Sequence, residues 1–343
     1  YGITTDSSDS RTFRTGSNKK ITGVQSLIAE HAYTVLEAEN WNKSDKAEVV
    51  HLLDEKRISV LLELQKKGFL TISQIWLLCY ADKRRPAAEA AMRELLQRGM
   101  VDRHRYFMGR GIGYLESFYF LTRKGFSYLK GCELPEFLEE DFRYKDAPMT
   151  IANYAHRKAA LDFWVGLETA LKGDDDFELA SFVPEWLPDD GGERIVLNVA
   201  SPAHRKRLNI MPDASFVLRN NRQLKDGRFP ESLFFVEIDM DTEAIIGKRA
   251  LFDRFYKYQL AFSALSFRQL GPYYEQFEGA RLLFVANSEK RAKSVAEKIV
   301  VNPALASAFL FTHLDEVKER GLFASRFLLA GGSGPVGING KAV

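Results

Sequence analysis

The stretch that decides the fold runs from Met211 to Lys248: MPDASFVLRN at 211–220, a polar loop, then SLFFVEIDMDTEAIIGK at 232–248. Both apolar runs are rich in β-formers, and both carry acids at one end. Asp213 heads the first, and Glu237 and Asp239 close the second. A strand that reads Leu-Phe-Phe-Val has no packing reason to end in Glu-x-Asp, because an unpartnered buried carboxylate is strongly unfavourable. Paired as a hairpin, the two runs bring Asp213 and Glu237 to one edge of a sheet, where carboxylate oxygens suit a hard divalent cation. The bland alternative is a pair of solvated strand-end acids.

At 343 residues the chain is long enough for two domains, each with its own core. Its 45% hydrophobic and 27% charged residues are those of a soluble globular protein. No apolar run approaches the roughly 20 residues of a membrane span, so no membrane partner and a cytoplasmic location are expected. Cys79 and Cys132 are too few for a disulfide framework or a zinc site, which again points to a reducing compartment. A net charge of +2 says little about nucleic acid; the distribution of charge says more.

Residues 1–50 read as a flexible arm, with one short helix over Val24–Ala38. Residues 51–131 hold three helical patterns, the second capped by Thr71 and the third opened by Pro86. Two short strands then flank the turn MGRGIG, and a last helix opens at Thr122. That is the order of a winged helix-turn-helix. Arg84, Arg85, Arg93, Arg103, Arg105 and Arg110 line its third helix and wing, where double-stranded DNA is read and its phosphates neutralised. A protein-docking winged helix with solvated arginines is the alternative.

Residues 132–149 form an acidic, proline-containing linker, and residues 150–328 a second module of helices and strands around one mixed sheet. Its first helix carries Glu168 on an apolar face, paired with Lys172 or directed toward Asp213. Its polar excursion 187–209, with one short strand over Ile195–Val199, ends in a basic cluster, Arg205, Lys206 and Arg207, beside the Asp213 strand, a candidate phosphate clamp. A helix from Thr242 to Leu265 follows, in which Tyr256 and Tyr258 read as packing residues. Residues 329–343 read as a flexible tail.

Two or three such carboxylates hold Mg2+ or Mn2+, which polarises a phosphodiester and orients the attacking water. Asp213 and Glu237 are the candidate ligands, Asp239 a third ligand or its support, and Lys248 the cation that offsets charge on the phosphate. At these residues the chain resembles the restriction-endonuclease-like nuclease superfamily, whose pattern PD…(D/E)-x-K stands here as Pro212-Asp213…Glu237-Ile238-Asp239. Asp239 occupies the family's lysine position, and Lys248 is the replacement.

The layout is also similar to the plasmid replication-relaxation family and the related MobC-type relaxases, over about Asp54 to Arg320. There a winged helix precedes a PD strand and an E-x-D-x-x-T-E…K segment, here Glu237-Ile238-Asp239-Met240-Asp241-Thr242-Glu243…Lys248. Pro184-Glu185-Trp186 supplies the acid that precedes the PD strand. The resemblance implies an α/β (α+β) fold, a winged helix-turn-helix followed by a restriction-endonuclease-like mixed-sheet domain. It also implies metal-dependent, site-specific nicking of double-stranded DNA at a transfer origin, alongside relaxosome or other transfer proteins. The alternatives are a catalytically inactive DNA-binding accessory or replication regulator, and a restriction-type double-strand endonuclease.

Overall fold

The structure is a computed structural model, and it describes residues 53–108, 110, 113–132, 142, 151–187, 194–200, 207–224, 227–241, 245 and 251–338. Helix α1 (Glu55–Lys67) begins under Asp54, whose carboxylate accepts from Arg57 N at 2.9 Å, and ends at Gly68, which takes the positive φ that closes the last turn. Strand β1 (Phe69–Thr71) leads straight into α2 (Ile72–Cys79). Thr71 and Gln74 cap that helix reciprocally: Thr71 N donates to Gln74 Oε1 at 2.8 Å, and Gln74 N to Thr71 Oγ1 at 3.4 Å. Both residues are buried, so the cap satisfies donors that water does not reach.

Helix α3 (Arg85–Gln97) starts on Pro86, strands β2 (Val101–His104) and β3 (Phe118–Leu121) form a hairpin, and Thr122 caps α4 (Arg123–Gly131). These elements follow the order that the sequence predicts for a winged helix. Strand β1 is added to the hairpin in the order β1-β3-β2; three residues are too short to show an alternation. Gly125 lets α4 sit on the hairpin, since a Cβ there would lie 2.2 Å from the Met100 carbonyl oxygen.

Helix α5 (Ile151–Leu171) precedes β4 (Phe177–Pro184), β5 (Leu197–Ala200), β6 (Arg207–Ile210), β7 (Ala214–Asn220) and β8 (Glu231–Asp239). Then come α6 (Leu251–Ser263), β9 (Ala280–Ala286), α7 (Glu289–Lys298), β10 (Phe309–His313), α8 (Leu314–Ala324) and β11 (Leu328–Leu329). Six strands form one mixed sheet in the order β11-β10-β9-β8-β7-β4. β8, β9 and β10 run parallel, and β4, β7 and β11 pair antiparallel with their neighbours. The β7–β8 hairpin sets Ala214 opposite Val236, the pairing read from the sequence. Alternate side chains face opposite layers. Phe216, Phe234 and Leu283 pack with α5 and α8, whereas Val217, Phe235 and Phe284 pack with α6, α7 and the β5–β6 ribbon.

Within the polar excursion the expected strand is present as β5 and pairs with β6, because Leu197, Val199 and Ile210 are buried in the core around α6. Two expectations change. Tyr256 is exposed rather than packed, while Tyr258 is fully buried. The glycine-rich end is held through residue 338: β11 pairs with β10, and Val336 is buried against the α5–α8 layer. Among the described residues no helix is long and apolar enough to cross a membrane.

The core of the first module does not stop at its own elements. Tyr154, Leu161, Trp164 and Val165 of α5 belong to it. At the junction Lys67 is fully buried, paired with Glu63 and, at 2.6 Å, with Glu168, and lies 4.7 Å from the Trp164 ring centre. Gln74 Nε2 donates to Asp162 Oδ1 at 2.8 Å, Tyr154 OH to the Glu116 carbonyl at 2.8 Å, and Trp186 Nε1 to the Lys67 carbonyl at 3.1 Å. Glu168 therefore pairs with Lys67 and Lys66, not with Lys172, and belongs to this junction rather than to the Asp213 edge.

Candidate functional site

Glu185 follows β4, Asp213 precedes β7 and Glu237 lies near the end of β8, so three neighbouring strands deliver three carboxylates to one sheet edge. Backbone bonds lock the edge: Glu185 N donates to the Asp213 carbonyl at 2.8 Å, and Asp213 N to that of Val236 at 3.1 Å. Each acid meets a base from a covering helix. From α5, Arg157 Nη2 stands 3.2 Å from Glu185 Oε1, and His156 Nε2 stands 3.0 Å from Asp213 Oδ1. From α6, Arg254 Nη1 donates to Glu237 Oε2 at 2.8 Å and Tyr258 OH to Glu237 Oε1 at 2.7 Å. The other Asp213 oxygen accepts Ile238 N at 2.6 Å.

Asp239 lies two residues beyond Glu237 on the same face of β8. Its Oδ2 accepts Arg291 Nε of α7 at 2.6 Å, and its Oδ1 accepts Asp241 N at 3.1 Å. Asp213, Glu237 and Asp239 are all buried. Burial first, and then the Asp213 charge, push Glu237 up to about 8, against the pull of Arg254 and Tyr258. Burial also raises Tyr258 well above its ordinary value, with Glu237 adding to it. For His156 burial opposes the proton, but Asp213, with Glu185 and Glu237 behind it, outweighs that and raises the imidazole.

The metal reading meets this geometry directly. Each oxygen of Asp213, Glu237 and Asp239 accepts or faces a protein donor, and each carboxylate already has a His or Arg against it. Among the described residues no three His, Cys, Asp or Glu side chains group as ligands for an ion. As arranged, these residues do not fit Mg2+ or Mn2+, which would have to displace the bases and approach their charges. Lys248, Arg205 and Lys206 lie outside the described residues, as does the side chain of Arg207.

The sequence reading singled out Asp213, Glu237, Asp239 and Glu185 but missed His156, Arg157, Tyr258 and Arg291 as their partners. One signal was available. His156-Arg157-Lys158 is a run of three bases in an otherwise largely apolar helix. A basic triplet there calls for acids on the neighbouring sheet.

The other charged surface is built differently. On α3, Ala88, Ala91, Met92 and Leu95 are buried, leaving Arg84, Arg85, Ala87, Ala90, Arg93 and Gln97 outward. Arg85 is committed to Glu116 at 3.2 Å and Glu89 at 3.4 Å, and Arg98 to Glu94 at 2.6 Å. Among the described residues no carboxylate pairs with Arg84, Arg93, Arg103, Arg105 or Arg110.

Together these features define a class: an N-terminal module with winged-helix element order, built onto a mixed six-stranded α/β sheet. Residues 61–264, more than half of the chain, match the family described as Replication-relaxation, and the chain belongs to that family. Among solved structures, a MarR family transcriptional regulator from Silicibacter pomeroyi DSS is similar at 18% identity and a TM-score of 0.22, over 36% of this chain and 75% of that one. RV1404 from Mycobacterium tuberculosis is similar at 15% identity and a TM-score of 0.24, over 41% of this chain and 89% of that one. No curated protein matches. With likenesses this low, the winged-helix description rests on the element order and strand register above.

Proposed function

We propose that this chain is a duplex-DNA-binding protein acting in plasmid replication or transfer, with α3 entering the major groove and the hairpin serving as a wing. One observation carries the reading. Arg84, Arg93, Arg103, Arg105 and Arg110 are without a carboxylate partner among the described residues, while Arg85 and Arg98 of the same module are paired. Unpaired guanidinium groups on one helix and its hairpin are the charges a phosphate backbone takes up with release of counterions. Fluorescence anisotropy on duplexes selected by the chain from a randomised pool tests it. The expected result is salt-dependent binding that Arg93→Ala weakens about tenfold, the scale of one lost base-edge contact. Binding indifferent to Arg84→Ala and Arg93→Ala would sink the assignment.

A second reading, strand nicking by a restriction-endonuclease-like domain with Mg2+ or Mn2+, is favoured by a different observation. Asp213 and Glu237 lie side by side in the β7–β8 register, and Glu237 is pushed up to about 8 in part by its neighbour. On this reading His156 and Arg254 must give up their carboxylates before a cation enters. Incubating supercoiled plasmid with either metal separates the two readings. Open-circular product that Asp213→Ala and Glu237→Ala abolish, with duplex binding intact, selects nicking. Binding without product selects the accessory role, and linear product in one step points to a double-strand endonuclease.

A further inference from the structure

The wing carries a feature that phosphate binding does not use. Phe107 and Tyr114 face each other across the hairpin as an isolated β-bridge, ring centroids 5.1 Å apart, and Met108 follows Phe107 in the chain. The three side chains are 51%, 66% and 38% exposed. Their backbone is held: Met108 N donates to the Gly113 carbonyl and Leu115 N to that of Tyr106, both at 2.9 Å. Gly113 takes the positive φ that this turn demands. One residue away, Tyr106 is buried edge-on against Phe118 and Tyr154, so the hairpin separates an anchoring ring from two outward ones. A contiguous apolar patch on a projecting hairpin marks a contact surface.

The borders of the patch identify what it contacts. Arg105 and Arg110 flank Phe107 and Met108 in the chain, both are exposed, and among the described residues neither meets a carboxylate. An apolar ridge between two such arginines matches a surface with anionic walls and an apolar floor. The minor groove of duplex DNA has that cross-section, with phosphates along both rims and sugars and base edges between them. Side chains such as Phe and Met enter it as wedges between base steps.

Resting on the DNA-binding reading above, we propose that Phe107, Met108 and Tyr114 form an apolar wedge that the wing sets into the minor groove of the bound duplex, between phosphates held by Arg105 and Arg110. The wedge parts a base step there. It contributes affinity and shape readout without adding to the salt dependence, because apolar contacts release no counterions.

The test uses the full chain and a short duplex that it selects from a randomised pool, with Kd measured across a salt series. Phe107→Ala combined with Tyr114→Ala should raise Kd about tenfold, leave the salt slope unchanged and leave the melting temperature in place. Arg105→Ala combined with Arg110→Ala should lower the slope by about 2, roughly 1 per phosphate contact. 2-Aminopurine walked along the duplex should brighten at one step with the wild-type chain and stay dark with the double aromatic variant. An unchanged Kd for the aromatic variant, while Arg93→Ala still weakens binding, overturns the wedge alone. So does a variant that binds DNA normally but loses self-association in sedimentation, which would give the patch to a second copy of the chain. If the wild-type chain selects no duplex at all, the DNA-binding reading falls and the wedge falls with it.

Discussion

The exposed face of α3 and the sheet edge at Asp213 both concentrate charge, and they handle it in opposite ways. At the edge Asp213, Glu237 and Asp239 are buried, Glu185 is half-buried, and each is answered by a base from α5, α6 or α7. On α3 and the wing, five arginines lie without a carboxylate partner among the described residues. Buried charges tolerate the interior only when paired, so the sheet-edge network is tied to folding and its disturbance shows first as lost stability. Unpaired surface charges add little to stability and are available to a ligand. The difference is what favours the proposed binding role for the first region and a stabilising role for the second.

The sharpest way to break this contrast is at a paired buried charge. Glu168→Ala strips the fully buried Lys67 of one of its two acids and should cost about 3 kcal/mol in urea unfolding. Replacing both partners, Lys67→Met with Glu168→Leu, should stand much closer to wild type. Equal losses from the single and double changes would show that packing, not charge pairing, dominates there.

Next in size is a dependence on pH in chelator-containing buffer. Glu237 is raised from 4.5 to about 8, so its contribution is fully present below 4.5 and is lost as pH climbs through about 8. His156, raised from 6.5, has the same sign: its contribution is present below 6.5 and is lost as pH rises through its folded-state value. Unfolding free energy should therefore fall across that window, and Glu237→Gln should flatten most of the slope. A flat wild-type profile would show that Arg254 keeps Glu237 ionised throughout.

On the other side of the comparison, Arg93→Ala should leave unfolding within about 0.5 kcal/mol of wild type while weakening DNA binding. The smallest effect on binding is expected from Arg85→Ala, because that guanidinium already serves Glu116 and Glu89. If Arg85→Ala weakened binding as much as Arg93→Ala, ion pairing in the free protein would be a poor guide to which arginines the duplex recruits.

The sequence made the hairpin legible because two β-rich runs with acids at their ends leave few ways to pair, and Asp213 does fall beside Glu237. Thr71, Pro86 and Thr122 announced helix starts for the same local reason: capping chemistry acts within three residues. What could not be read was long-range. Arg291 reaches Asp239 across 52 positions and Lys66 reaches Glu168 across 102, and neither spacing leaves a period in the sequence. The end of the chain misled by composition, since its glycines read as a loose tail while the β11 pairing and the buried Val336 tie it to the core.

Helix α5 contributes Leu161, Trp164 and Val165 to one core and Phe163, Leu167 and Leu171 to another. A fragment cut before it would leave the first module with an open apolar wound, and a fragment beginning with it would carry the same surface unclothed. The two halves are therefore not beads on a string that recombination can exchange freely. On the DNA-binding reading, changes of specificity fall to the exposed side chains of α3 and the wing, because the residues facing α5 are held by two cores at once.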